Sequence, residues 1–567
     1  MDSSNLCQYI VFFLIVLLVT RPLGGYIYRV FNERRTFLDP LLLPVERAIY
    51  RICGINAQEE MTFKQYSISF LLFSLTGTLL LYALLRLQTL LPFSDPAHQI
   101  TPLTPDLSMN TAISFATTTT WQAYAGETTM SYFTQLAGLA AQNFLAGAAG
   151  LAVGIAFMRG LSRQKIDTLG NFWVDLVRGI LRILLPFSLL GALLLVWQGV
   201  PMNFQPYLTI TTLEGTHQTI AQGPVAALEI IKNLGTNGGG FFNVNGAHPY
   251  ENPTALTAFV EMLAIILIPA ALTNTFGRMV GSARQGWLLF WVMAFLFFVG
   301  LGVCHWAEQS GNPAISHLLG QAAPSMEGKE VRFGTGSSVL TAVVTSNGAT
   351  GSYNSAHDSY TPLGGMVPLM NMLLGEIVFG GLGTGIYSII LIAIVGLFLT
   401  GLMVGRTPEY LGKRLEPTEM KLTMLYTLLA PITILSLTAI AAITQWGLAG
   451  LTTNAGPHGL TEILYAYTTS FANNGQNFAG LSGNSPFYNL TTSCSMLIGR
   501  FGQGIVALAL AQAFARQQRR PETPGKLRTD TPLFGTVILG SALIVGALTY
   551  LPVLALGPLV EHLQMLH

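Results

Sequence analysis

Four short polar clusters hold the residue types that could do chemistry: Thr119-Thr120-Trp121-Gln122, Thr236-Asn237-Gly238-Gly239, Ala349-Thr350-Gly351-Ser352 and Asn473-Asn474-Gly475-Gln476. None pairs a nucleophile with a base or sets His and Cys at metal-ligand spacing. Their common property is a backbone of glycine and small polar residues, which lets successive carbonyls point one way. A ring of such carbonyls can replace the hydration shell of a monovalent cation. Asn and Thr side chains can hydrogen-bond behind such a ring, and Thr128, Asn245 and Asn477 are candidates for this.

One such cluster would read as a Gly/Asn-rich turn. Four matter because the same elements flank each. A stretch of helical character precedes every cluster, at residues 110–118, 224–234, 336–347 and 458–472, and an apolar run lies on either side. With about 20 apolar residues needed per crossing, ten membrane spans are expected. They lie near residues 5–26, 66–91, 129–158, 172–200, 253–277, 284–306, 363–404, 421–446, 490–515 and 532–556. The seventh is too long for one straight helix and contains Gly380-Gly381-Leu382-Gly383-Thr384-Gly385, so a break is expected there. The expected fold is an all-α polytopic membrane protein with four divergent span–pore-helix–filter–span repeats around a central pore and one extra helix at each end. The units are residues 1–60 (first helix and loop), 61–165, 166–281, 282–415 and 416–520 (the repeats), and 521–567 (last helix). Irregular polar backbone at membrane depth is tolerated only where protein covers it or it lines a water-filled cavity.

Composition agrees. Half of the chain (51%) is hydrophobic and 10% is charged, against about 25% charged in soluble domains. A net charge of +1 gives no footprint for nucleic acid. Of the 28 Lys and Arg, 21 fall on alternate loops, while the opposite loops hold Lys329 and Arg332 in one long insertion. The positive-inside rule then places both termini outside the cytoplasm. The N-terminal apolar run lacks a basic n-region and a small-residue cleavage site, so it reads as a retained helix. The four cysteines, Cys7, Cys53, Cys304 and Cys494, read as apolar packing residues.

At the four clusters the chain resembles the potassium-transporting ATPase A subunit family, KdpA, along its whole length. The likeness is carried by Trp121-Gln122, Gly126-Glu127-Thr128-Thr129, the run Leu234 to Asn243, His248 to Pro253, Met326 to Glu330, His357-Asp358-Ser359, Gly405 to Gly412 and Asn473-Asn474-Gly475. The wider superfamily of Trk/Ktr/HKT potassium transporters shares the fourfold plan without these strings. The resemblance implies K+ as transported ion, no organic cofactor, and a place in the bacterial inner membrane beside lipid. It implies a P-type ATPase B subunit (KdpB) as motor, with C (KdpC) and F (KdpF) subunits completing KdpFABC. It places Gly238, Gly351 and Gly475 at the filter glycines, and matches Gln122, Thr236, Asn237 and Asn245 to positions linked with potassium selection. It makes the broken third-repeat helix a gating loop below the filter, with the conduit to the B subunit starting nearby and Arg406 at the barrier. Two departures stand out: Trp121 occupies the first repeat where the others have glycine, and the third repeat reads Ala349-Thr350-Gly351.

An intramembrane charge costs a few kcal/mol on insertion scales, so each is a functional candidate. Lys232, at the end of the second half-helix, is expected to pair with Glu229 or a nearby acid. Glu376, before the glycine-rich break, could attract a cation leaving the filter. Glu261 reads as a paired structural acid, and Arg178 and Arg182 are expected to snorkel to the interface. The chain has no GxxxxGK[ST] loop and no DKTGT stretch, so it holds neither known ATP-hydrolysing route. The chain is therefore expected to be a non-catalytic potassium-binding subunit; the alternative is a stand-alone K+ channel or a Trk/Ktr/HKT-type transporter.

Overall fold

The computed structural model describes residues 3–91, 100, 102–321, 323–405, 407–520 and 527–566. Among the described residues there are ten helices long and apolar enough to cross a membrane, one for each expected span. The seventh is interrupted as expected: helix Pro362–Leu373 ends, ten residues run irregularly, and helix Thr384–Val404 resumes. The sixth span runs on past its expected end, as Ala283–Ser310, and the last continues into a short segment at Val560–Leu566.

The four expected half-helices are present as Pro105–Ala116, Val225–Leu234, Gly334–Asn347 and Gly456–Ala472. All four are almost wholly buried, so they lie inside the bundle. Local signals start two of them: Thr104 accepts a hydrogen bond from the Leu107 amide, with Pro105 at the first helical position, and Pro457 opens the fourth. Each half-helix is flanked by its own pair of spans, in the order Phe63–Leu90 and Thr134–Ser162, then Phe172–Trp197 and Ala255–Met279. The third pair is Ala283–Ser310 with the broken helix, and the fourth is Pro417–Ile443 with Pro486–Arg516.

The two extra helices lie outside this core. Ser3–Phe31 packs along Ala255–Met279, close enough that Thr275 Oγ1 donates to the Gly24 carbonyl at 3.1 Å. Pro532–Leu554 lies along Thr384–Val404, where a Cβ at Gly396 would sit 2.6 Å from Ser541 Oγ. Outward-facing leucines such as Leu18, Leu80, Leu189 and Leu548 are exposed, as a lipid-facing surface requires.

The ends of the bundle are held by charge. Arg178 and Arg182 do not snorkel. Glu46, nearly fully buried on helix Asp39–Ile52, accepts from Arg178 Nε at 3.1 Å and from Arg182 Nε at 2.6 Å, and Asp39 takes Arg182 Nη1 at 2.8 Å. Pairing wins over snorkelling because two carboxylates already stand within reach of the guanidinium groups. Nearby, the Lys413 ammonium donates to the carbonyls of Leu161 (3.0 Å), Arg163 (2.5 Å) and Phe514 (2.7 Å). It thereby caps the C-terminal ends of two inner spans, where unpaired carbonyls collect negative partial charge.

Candidate functional site

The four clusters meet head to tail. A Cβ on Gly238 would overlap the carbonyl of Thr350, one on Gly351 the carbonyl of Asn474, and one on Gly475 the carbonyl of Thr119. The circle closes where Thr120 Oγ1 donates to the carbonyl of Asn237. Repeat 2 therefore touches 3, 3 touches 4, 4 touches 1 and 1 touches 2, always glycine position against the carbonyl before the neighbour's glycine position. Only four segments around one axis make such a closed cycle.

Backbone angles give the same alignment independently. Positive φ recurs two residues apart in every copy: Thr118 (64°) and Thr120 (52°), Thr236 (49°) and Gly238 (83°), Ala349 (50°) and Gly351 (72°), Asn473 (57°) and Gly475 (85°). Alternating left-handed residues turn consecutive carbonyls toward one side. This corrects the reading of the first repeat. Thr120, not Trp121, occupies the glycine position, and Trp121 aligns with Gly239, Ser352 and Gln476. A β-branched residue with positive φ is strained, and here the Thr120 hydroxyl recovers part of that strain through its bond to Asn237. Sequence reasoning therefore missed Thr118, the true counterpart of Thr236, Ala349 and Asn473.

Side chains hold the ring from behind, most fully in the fourth copy. Asn474 Nδ2 donates to Glu376 Oε1 at 2.7 Å and to the carbonyls of Thr345 and Ser346 at 3.2 and 3.3 Å. Asn473 Nδ2 reaches Thr119 Oγ1 at 2.9 Å and the Met496 carbonyl at 3.0 Å. Gln122 clasps the second repeat with its amide, accepting from the Gly240 amide at 2.8 Å and donating to the Gly240 carbonyl at 3.1 Å. Asn245 lies behind the ring: its Oδ1 accepts from Lys232 Nζ at 2.7 Å. Thr128 does not stand behind the ring; its hydroxyl turns to the Ala125 carbonyl at 3.2 Å and is exposed. Asn477 lines the mouth above.

Lys232 is fully buried and ion-paired, as expected, to Glu229 Oε2 at 2.7 Å and also to Glu251 Oε2 at 2.7 Å. Glu251 Oε1 in turn accepts from the Phe242 amide at 2.8 Å. The lysine thus braces the loop leaving the second cluster instead of facing the ion axis. Glu261 has one buried carboxylate oxygen without a hydrogen-bond partner.

A cavity of about 730 Å³ opens above the ring, lined by Trp121, Gln122, Tyr124, Asn243, Tyr353 and Asn477 among others. Below the ring the space shrinks to about 10 Å³, room for about one water. Thr118, Thr236, Ala349 and Asn473, the lower residues of the four copies, line it together with Gly381, Leu382, Thr384 and Arg500. The broken helix closes it. The Leu382 amide donates to Thr236 Oγ1 at 2.9 Å, and the bend at Gly383 (φ 95°) lies so close to Gly154 that a Cβ on Gly154 would be 2.5 Å from the Gly383 Cα. Gly380 and Gly381 form the same bend, with Gly381 under Ala349. Glu376 lies in this break too, buried against Asn474. Arg406 is outside the described residues.

Arg500 was missed by sequence reasoning, although a lone arginine inside an apolar span is a standing signal. It sits in a π-helical turn, Ile498–Gly502, a distortion common at functional sites. It is buried, donates to the Ala146 carbonyl at 2.9 Å, and has no carboxylate within ion-pair distance among the described residues.

A fourfold ring of re-entrant backbone between paired spans, open above and shut below, defines a pore-loop membrane protein. The family of the potassium-transporting ATPase A subunit, KdpA, matches residues 10–563, and the chain belongs to that family. Relatives named potassium-transporting ATPase potassium-binding subunit include one from Granulibacter bethesdensis, 53% identical over 98% of this chain and 97% of its own length. Another, from Mesorhizobium japonicum, is 51% identical over 100% of this chain and 99% of its own. Among solved structures, the potassium transporter TrkH from Vibrio parahaemolyticus superposes with a TM-score of 0.51 at 12% identity, covering 89% of this chain and 97% of that one. At that identity the likeness speaks for the fold alone.

Proposed function

We propose that this chain binds K+ in the carbonyl ring of its four clusters and passes it to an ATP-driven partner, as the potassium-binding subunit of a KdpFABC-type uptake complex. The observation that carries this is the closed cycle of contacts from Gly238 to Thr350, Gly351 to Asn474, Gly475 to Thr119 and Thr120 to Asn237. It brings four sets of carbonyls around one axis, the arrangement that replaces a cation's water. The filter is Thr119 to Gln122 with Thr118, then Thr236 to Gly239, Ala349 to Gly351 and Asn473 to Gly475, with Asn245 behind it. Glu376, Gly380 and Gly381 form the gate, and Arg500 adds a positive charge that repels a cation moving down from the ring. The chain boundaries 61–165, 166–281, 282–415 and 416–520 delimit the repeats.

The chain does no chemistry of its own in this reading. A P-type ATPase subunit of the KdpB class hydrolyses ATP, with KdpC and KdpF subunits alongside, in the bacterial inner membrane. Both termini lie outside the cytoplasm, which the 21 basic residues on alternate loops support. The narrow space below the ring supports the pump reading.

The test is transport. The assembled complex is expected to take up K+ only with ATP and to copurify with a P-type ATPase subunit. ATP-independent K+ flux through liposomes holding this chain alone would instead establish a stand-alone channel or transporter.

A further inference from the structure

On the side of the molecule where the cavity above the ring opens, three elements from distant parts of the chain converge on one imidazole. His458 and Glu462 stand one helical turn apart on Gly456–Ala472, so their side chains share a face. Asp358 comes from the turn after the third cluster, and Glu561 from the last helical segment, Val560–Leu566. His458 Nε2 lies 3.0 Å from Asp358 Oδ1 and 3.9 Å from Glu462 Oε1, while Nδ1 meets Glu561 Oε1 at 2.7 Å.

We propose that Asp358, His458 Nε2 and Glu462 are the ligands of a divalent transition-metal site, with zinc the foremost candidate and Glu561 as the brace of the histidine. Three independent observations carry it. The first is spacing: donor atoms of all three residues lie within 4.8 Å of one another. Ligands about 2.0–2.1 Å from a tetrahedral zinc stand roughly 3.3 Å apart, and the two observed separations bracket that value. The second is the brace, since metal-bound histidines almost always give their other ring nitrogen to a carboxylate or carbonyl. The third is an unmet need. Glu462 is fully buried, with Oε1 taking only the Asn454 amide at 2.8 Å and Oε2 without a hydrogen-bond partner.

Charge points the same way. Three carboxylates surround one imidazole, and among the described residues no Lys or Arg forms an ion pair with any of them. A cation among them offsets the repulsion of carboxylates brought this close. A nitrogen donor beside two carboxylates suits zinc better than Mg2+ or Ca2+, which take oxygen ligands. The site is partly open to solvent at Asp358 and Glu561, which gives a metal its way in. A bound ion would staple the third-repeat loop, the fourth half-helix and the C-terminal segment together, away from the ring.

The experiment uses the intact detergent-purified complex, stripped with EDTA and titrated calorimetrically with Zn2+ and, separately, Mg2+. One Zn2+ is expected to bind with a Kd in the micromolar range or tighter and with a higher thermal midpoint when zinc is present, while any Mg2+ binding by the ATPase partner is unchanged by substitution of His458. His458→Gln should abolish binding. Glu561→Gln, which keeps all three ligands, should weaken it about 10- to 100-fold. Should His458→Gln fail to fold, Asp358→Asn takes its place with the same expectation. Zinc binding only in the millimolar range, or binding unchanged by these substitutions, overturns the site and leaves the cluster as a protonated-histidine clasp.

Discussion

In the second repeat the ring turns at Gly238, and the half-helix before it is braced by ions: Lys232 between Glu229 and Glu251, all three buried. In the first repeat the same turn is made by Thr120, and the half-helix is braced by hydrogen bonds without an ion pair, Asp106 accepting from Asn489 Nδ2 at 2.8 Å. Asn110 Nδ2 donates to the Asn489 carbonyl at 2.8 Å and to Thr492 and Ser493 hydroxyls at 2.9 Å each. Positive φ at the turn is common to both, 83° at Gly238 and 52° at Thr120. What the ring requires is therefore a backbone angle and a gap beside the neighbour's carbonyl. Glycine supplies both by lacking Cβ; threonine supplies the first under strain and replaces the gap with a hydrogen bond. The two copies are not interchangeable in sequence although they are equivalent in geometry.

Substitutions can break this equivalence or sharpen it. The largest effect is expected at Gly238→Ala and Gly475→Ala, where the new methyl overlaps a neighbour's carbonyl. Backbone strain and displacement of about 3 kcal/mol or more correspond to a loss of apparent K+ affinity of roughly 100-fold. Uptake assays at graded K+ with Rb+ and Na+ as competitors check this, and wild-type affinity and selectivity would remove these glycines from the filter.

Comparable in size, but read in stability, is Lys232→Met. It strands two buried carboxylates and should destabilise the protein by about 3–5 kcal/mol, read as a lowered thermal midpoint. Glu251→Gln added to it should restore part of the loss, because one stranded charge disappears. If Lys232→Met leaves stability untouched, the ionic brace is no brace.

Thr120 separates the two ways of making the turn. Thr120→Val keeps Cβ and loses the bond to Asn237, so affinity should fall about fivefold, the worth of one hydrogen bond of about 1 kcal/mol. Thr120→Gly loses the bond but relieves the strain, so its affinity should stay within about threefold of wild type. A glycine variant worse than the valine variant would show that the hydroxyl does more than hold backbone. The smallest effect is expected at Gln122→Ala, which removes the clasp on Gly240 at the rim of the ring and should weaken K+ affinity a few-fold in the same assay.

Much of this was legible in the chain. Ten apolar runs, the short helical stretches and the polar clusters recur in one order, and lipid admits few arrangements of irregular backbone at membrane depth. The break in the seventh span was visible at Gly380-Gly381-Leu382-Gly383, where glycine density forbids a straight helix. The pairing of Lys232 followed from the price of a lone buried charge, with Glu229 one turn away. The pairing of Arg178 and Arg182 did not, because Glu46 and Asp39 stand more than 130 residues away in the chain.

What the sequence determined by itself was thus the fold class, the count of spans and the four places where the backbone leaves helical form, because periodicity and apolar length are local properties. The register of the first cluster was decided only by tertiary structure. Threonine at a glycine position is intelligible only beside the Asn237 carbonyl it bonds, and that carbonyl comes from the next repeat. The same holds for Arg500 beneath the ring and for the convergence of Asp358, His458, Glu462 and Glu561. Each is a meeting of side chains distant in sequence, and only the closed packing of the four repeats and the terminal helix brings them within bonding distance.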